Sequence, residues 1–257
     1  MMKLILTVMV LTVFAGVNAQ QIVKLTGKKQ VLNVKDLTAN ADGSISYTLN
    51  GKRWTAPEFS YDYARVPKPA AISAADKFLK NGNFVKAEKM YQIEYRNYKN
   101  LGWGIYCLIG RARALDKLGK LNEALKELEL IMSDTSPDAN LKNDITVAKL
   151  FYVDLLIKAK KYKSAAIQAE SLLASGDNNI VFFSFERKGD IALLQNDKKK
   201  AVRNYLQACY LVLEHKRRPE LLYKVTILLK EMKDNRWKQF AAILKKQYPN
   251  SQYAKKI

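Results

Sequence analysis

From residue 72 onward, apolar positions recur with a helical period, and short polar turns cut them into paired segments. Four stretches share one design, a tight polar turn followed by a small Ala early in a helix. They occupy residues 81–87, 119–124, 160–165 and 196–201 and end on Ala87, Ala124, Ala165 and Ala201, spaced 37, 41 and 36 residues apart. A repeat of that length predicts stacked helix pairs. The pairs fall at 73–80 with 84–99, 103–118 with 121–132, 139–159 with 162–174, and 180–195 with 198–214. A degenerate fifth pair falls at 219–232 with 235–247. Ser73 is the expected N-cap of the first helix. Pro137 and Pro219 stand at helix starts, and Gly82 and Gly119 stand in turns.

Residues 22–65 carry a different period. Ser44 to Leu49 alternates polar with apolar, Asn50-Gly51 follows, and Lys52-Arg53-Trp54-Thr55 resumes the alternation. Asn-Gly between two such runs predicts a hairpin, because both turn residues tolerate positive φ. Asp42-Gly43 predicts a second turn, and earlier strands are expected at 22–25 and 30–34. So little chain builds a small twisted sheet or barrel that must dock on the helices. The alternating Phe59, Tyr61 and Tyr63 are expected to pack it onto the first repeat. Pro67-Lys68-Pro69 ends the β region.

The repeat frame holds residue by residue. Twelve positions before each Ala stand Ala75, Ala112, Val153 and Gly189, and nine before stand Phe78, Leu115, Leu156 and Ala192. Four after stand Tyr91, Leu128, Ala169 and Tyr205. Small residues let helices approach, and large ones fill the space between them. This order resembles the tetratricopeptide repeat (TPR) over about residues 72–250, best in the fourth unit with Phe185, Gly189, Ala201, Tyr205 and Ala208. The third unit departs most, with a longer first helix and no Gly. The run Tyr248-Pro249-Asn250-Ser251-Gln252-Tyr253-Ala254 is similar to repeat ends in periplasmic TPR proteins of the barrel-assembly and Tol–Pal systems. The chain lacks those families' lipid-acceptor Cys and N-terminal coiled coil. The expected architecture is therefore mostly α, a TPR-like solenoid of about five helix pairs over 72–257. A small β module at 20–66 and a linker at 67–71 precede it.

The first 19 residues read as an export signal. Lys3 supplies positive charge, residues 4–13 an apolar run, and Val17-Asn18-Ala19 a small-residue cleavage site, with Gln20 following. The other reading is an uncleaved anchor, for which the apolar run is shorter than the ~20 residues a span needs. The expectation is an exported chain, periplasmic or extracellular, cleaved after Ala19. Of its two cysteines, Cys107 and Cys209 stand two repeats apart, too far for a disulfide in a solenoid whose units touch only their neighbours.

The formal net charge is +20. Residues 181–257 hold 18 basic and seven acidic groups, more than half of the surplus. Such a field attracts anionic polymers or membrane surfaces; an exported protein makes nucleic acid a poor partner. Lys198, Lys199, Lys200, Lys216, Arg217 and Arg218 form the candidate anionic-partner patch.

Catalytic chemistry has little to build on. The single histidine, His215, precedes Lys216-Arg217-Arg218, which hold its pKa down, and no nucleophile neighbours it in sequence. An exposed loop histidine is expected. No metal-ligand spacing appears, and Leu101-Gly102-Trp103-Gly104 reads as a helix–helix connection, not a phosphate loop. No cofactor is expected.

Eleven residues before each repeat Ala stand Asp76, Arg113, Asp154 and Asp190. The TPR resemblance implies that these face a groove, with Tyr106 and Phe183 as apolar anchors. Three acids among four positions would repel a partner's carboxylate, which argues against carboxylate clamping. The reading is a non-catalytic envelope scaffold or adaptor that binds protein partners through this groove. The alternative is a module for an anionic envelope polymer or membrane surface, bound through the basic C-terminal third.

Overall fold

Five antiparallel strands open the chain: β1 (Gln21–Leu25), β2 (Val31–Ala39), β3 (Ile45–Leu49), β4 (Lys52–Ala56) and β5 (Tyr61–Arg65), in sheet order β4-β3-β2-β1-β5. The computed structural model describes residues 20–132 and 139–257, with side chains from residue 144 in the second stretch. The expected export signal, residues 1–19, and Pro137 lie outside the described residues. Asn50 and Gly51 both adopt positive φ, 51° and 75°, so the β3–β4 turn forms as the Asn-Gly pair demands. The sheet is open, not a barrel. β2 runs to Ala39, past the expected end at 34, because a bulge at Asp36 (φ 51°) resets its register against β3.

The sheet's core is completed from the helical part. Val23, Val34, Leu37, Ile45, Tyr47 and Ala64 bury against Leu101, which belongs to a 3-10 turn at Lys99–Leu101. The Trp103 indole N–H donates to Val66 O at 2.9 Å, and the Val66 N–H donates to Leu101 O at 3.3 Å. Gly102 (φ 83°) follows, where a Cβ would meet Arg65 Cγ at 3.1 Å and Ala64 O at 3.2 Å. The Leu101–Gly102–Trp103 connection is thus the dock for the sheet. Phe59 does not share that task. It is 85% exposed at a turn with φ 67°, because the turn points its ring outward, while the Tyr61 hydroxyl donates to Gly43 O at 2.8 Å.

Ten α-helices follow among the described residues: α1 (Ala70–Lys80), α2 (Phe84–Tyr98), α3 (Gly104–Lys117), α4 (Leu121–Met132), α5 (Ala139–Lys158), α6 (Tyr162–Ser171), α7 (Asn178–Leu194), α8 (Lys198–Leu211), α9 (Arg218–Glu231) and α10 (Trp237–Gln247). They pair as the repeat frame predicts, and α5 is the longest at 20 residues. The first helix starts earlier than expected. Pro69, with its fixed φ, occupies the N-cap, so Ser73 lies inside the helix and its hydroxyl contacts Pro69 O at 3.4 Å. At the far end α10 stops before Pro249, and the Ser251 hydroxyl caps the closing 3-10 turn by accepting from the Ala254 N–H at 3.1 Å.

Packing explains the repeat. Ala87, Ala124, Ala165 and Ala201 are all fully buried, as are Ala75, Ala112 and Val153 twelve positions earlier. Five residues before each repeat Ala the chain turns left-handed, at Gly82, Gly119, Lys160 and Asn196; Lys233 does the same in the fifth pair. At Gly110 and Gly189 a Cβ would sit 2.4 Å and 2.3 Å from the rings of Tyr91 and Tyr205, so glycine admits those tyrosines to the core. First helices pack against successive first helices (α1 on α3, α3 on α5, α5 on α7), whereas second helices pack chiefly against first helices. Closer spacing on one side curves the array, and the first helices line its inner face. Among the described residues no helix is long and apolar enough to cross a membrane.

Candidate partner-binding cleft

The inner face obeys a register rule. The residue eleven before a repeat Ala meets the residue fourteen before the equivalent position of the next repeat. Arg113 lies 6.0 Å from the Phe151 ring, Asp154 pairs with Arg187, and Asp190 pairs with Lys224. Arg187 grips Asp154 with both prongs of its fork, Nε to Oδ1 at 2.8 Å and Nη2 to Oδ2 at 3.1 Å. Lys224 Nζ stands 3.3 Å from Asp190 Oδ1, and the Tyr205 hydroxyl donates to that oxygen at 2.6 Å. At the N-terminal end Asp76 accepts from the Tyr91 hydroxyl at 2.6 Å and from the Tyr106 hydroxyl at 3.0 Å, and pairs with Lys68. Burial first, then the bond to the aspartate, pushes both Tyr91 and Tyr205 well above the usual phenol range.

The expected acidic wall is therefore absent. Asp76, Asp154 and Asp190 do stand on the inner face, but Lys68, Arg187 and Lys224 neutralise them. Paired in this way, the three aspartates no longer oppose a partner's carboxylate. Tyr106 is likewise engaged, bonded to Asp76 and lying under Lys68 Nζ at 4.3 Å, so it is no free anchor.

Arg113 breaks the pattern. Its neighbour at the next step is an aromatic ring, and among the described residues it has no carboxylate partner. It borders a cleft of about 780 Å³ between α3, α5 and α7, with Val147, Leu150, Phe151, Ile180 and Phe183 as its apolar lining. Asp154, already paired, and Asp177, which caps α7 by accepting from Asn179 N–H at 2.7 Å, are the acids at its edge. Three of the six predicted groove residues, Arg113, Asp154 and Phe183, thus meet in one cleft. Val147 and Phe151 were not singled out. Phe151 is recoverable from the sequence once the eleven-to-fourteen register is known.

The predicted basic patch divides. His215 is buried, stacked on Phe182 at 3.6 Å and edge-on to Phe183 at 5.1 Å, and its Nδ1 accepts from the Arg217 N–H at 3.2 Å. Burial above all, then Arg217 and Lys216, lowers its pKa. It is not an exposed loop residue, because α9 folds its connection back onto α7. Arg217 is held by Glu186, a carboxylate 1% exposed, and by Glu220. Burial raises the Glu186 pKa against the opposing pull of Arg217 and Arg187. Arg218 is itself buried, donating from Nε to Cys209 O at 2.9 Å and from Nη1 to Gln247 Oε1 and the Tyr248 hydroxyl. Arg217 and Arg218 are structural cations that stand at the start of α9, not at the end of α8. Lys216, Lys199 and Lys200 remain exposed, while Lys198 pairs with Glu231 at 2.9 Å. The Lys200 N–H donates to the capping Asp197 at 2.9 Å, which offsets a run of cations at a helix start. Cys107 and Cys209 are free and buried, and burial pushes both thiols up to about 12.

Comparison with solved structures places this geometry. The chain is similar to the apo form of RapI, with a TM-score of 0.62 at 12% identity, covering 72% of this chain and 55% of that one. The fold is a TPR-like helical solenoid. A tetratricopeptide repeat protein from Parabacteroides merdae ATCC 43184 is similar with a TM-score of 0.53 at 13% identity, covering 71% of this chain and 67% of that one. Residues 41 to the end of MamA from Desulfovibrio magneticus RS-1 give a TM-score of 0.52 at 14% identity, covering 71% and 96%. No protein-family model matches the sequence, and no curated protein matches it. Among the described residues of this TPR-like solenoid, no cluster of three His, Cys, Asp or Glu side chains could hold a metal ion.

Proposed function

We propose that this chain is an exported, non-catalytic scaffold that holds a segment of a partner protein in the cleft between α3, α5 and α7. One observation carries the reading. On an inner face where Asp76, Asp154 and Asp190 each pair with a cation, Arg113 has no acid partner among the described residues and borders an apolar floor on which Val147 is 43% exposed. A cation beside apolar surface suits a segment that presents an aliphatic or aromatic side chain and a nearby carboxylate. The chemistry of the cleft is recognition: it offers shape, apolar area and one fixed charge.

The TPR-like fold supports this reading, since such arrays present extended inner surfaces to partners. Residues 1–19, with their charged start, apolar run and Ala19 site, support export to a bacterial envelope. N-terminal sequencing of the chain recovered from an envelope fraction should begin at Gln20; recovery with Met1 from the cytoplasm would refute export.

The cleft itself is tested by selecting displayed peptides against the full chain. Enriched sequences should combine Asp or Glu with an aliphatic or aromatic residue, and Arg113→Glu should remove the enrichment. Enrichment that survives Arg113→Glu and Val147→Glu together would place binding elsewhere.

A further inference from the structure

The last two helix pairs gather exposed apolar side chains and exposed lysines at one end of the array. α8 finishes on Tyr210 and Leu211, and the following turn carries Leu213; these are 55%, 61% and 56% exposed. Val212 between them turns into the core, which fixes its neighbours outward. The end is rigidly tied. Arg218 binds Cys209 O on α8 and both Gln247 and Tyr248 at the end of α10, and the Tyr248 hydroxyl reaches Leu213 O at 3.4 Å. Those bonds hold the end of α10, whose last turn carries Lys245 and Lys246, against the α8–α9 connection, which carries Leu213 and Lys216. All three lysines are exposed, and among the described residues none has a carboxylate partner. Glu214 is the exposed acid within the group.

We infer that this end docks on an anionic lipid surface, with Leu211, Leu213 and Tyr210 entering the interface and Lys216, Lys245 and Lys246 meeting lipid phosphates. Apolar side chains that protrude from a helix end suit insertion into a soft interface, whereas a peptide partner needs a groove. Lysines serve here as mobile point charges with apolar stems, suited to headgroups that are themselves mobile. Apolar insertion and a polybasic rim together supply the two signals that stable peripheral attachment takes. The surface is built on the end of α8, the α8–α9 connection and the end of α10, shares no residue with the lining of the Arg113 cleft, and its failure would leave the cleft reading standing.

The test is flotation of the full chain with vesicles of phosphatidylcholine, with and without phosphatidylglycerol. The chain should float with the phosphatidylglycerol vesicles and stay behind with phosphatidylcholine alone. L211S/L213S should weaken partitioning roughly tenfold to a hundredfold by removing inserted apolar area. K216Q/K245Q/K246Q should weaken it about fivefold per lysine and flatten its salt dependence. Circular dichroism and an unchanged melting temperature show that the variants fold, and comparison within one chain form cancels any contribution of residues 1–19. Binding that L211S/L213S leaves unchanged, or that inorganic phosphate removes beyond a matched-salt control, would overturn lipid insertion in favour of a plain anion site. Equal flotation with both vesicle types, or none with either, would overturn it outright.

Discussion

The Tyr205 hydroxyl donates to Asp190 at 2.6 Å, and Tyr91 donates to Asp76 at the same distance, with the same fifteen-residue separation. One bond therefore recurs in the first and fourth repeats, joining first helix to second. Each tyrosine ring is admitted by a glycine, Gly189 and Gly110 respectively. Tyr205→Phe and Tyr91→Phe should each cost about 1–2 kcal/mol, a bond to a charged acceptor discounted for the partial exposure of the aspartates. Gly189→Ala should cost a further ~1–3 kcal/mol by overpacking against Tyr205. Urea unfolding measures all three; a Gly189→Ala chain as stable as wild type would show that the ring has room to move.

The left-handed turn residue supplies a stabilising change. Lys160 adopts φ 58° and is exposed, with an L side chain where the first two repeats use glycine. Lys160→Gly should raise stability by about 0.5–1 kcal/mol, the ~1–2 kcal/mol strain of a left-handed L-residue less the entropy that glycine loses on folding. A fall in the urea midpoint would mean that Lys160 makes a contact worth more than the strain.

His215 gives a pH signature. Its folded pKa lies below the ordinary value of 6.5, so the unfolded chain takes the proton first. The stability it contributes is complete above 6.5 and declines as pH falls through that value toward the lowered folded pKa. His215→Phe keeps the stack on Phe182 and removes the titration. Wild type should therefore lose stability relative to His215→Phe between about pH 7 and pH 5. Parallel pH curves for the two chains would show that His215 is not shielded.

The repeat was readable because its determinants are local. A buried Ala, a left-handed turn five residues before it and a small residue twelve before it lie within one helix pair, and fixed spacing exposes them. The basic triplet was not readable in that way. Arg217 finds Glu186 at a separation of 31 residues, and Arg218 finds Tyr248 at 30, contacts that exist only once α9 packs across α7 and α8. In sequence they look like free charge; in the fold Arg218 is buried and Arg217 is held by the buried Glu186. Asp76, Asp154 and Asp190 were placed on the right face, but their cations come from the linker and from following repeats. The burial of His215 was hidden for the same reason, and the outward Phe59 reflects a turn whose geometry its residue types do not specify.

The sheet's attachment makes a separate prediction. Leu101 fills the sheet's core from the helical side. Leu101→Ala should cost about 2–4 kcal/mol, and the loss should be felt at the junction. Limited proteolysis should then cut within residues 66–69 while helical circular dichroism persists. Loss of helical signal together with the cut would show that the solenoid needs the sheet to fold.

The central claim is that a partner lies in the Arg113 cleft. A photo-crosslinking amino acid at Val147, on the cleft floor, should give a discrete protein adduct in the producing cells. The same group at Ile167, 59% exposed on the outer helix α6, should give none. Adding Arg113→Glu should abolish the Val147 adduct. An adduct at Ile167 but not at Val147, or a Val147 adduct indifferent to Arg113→Glu, would contradict the account.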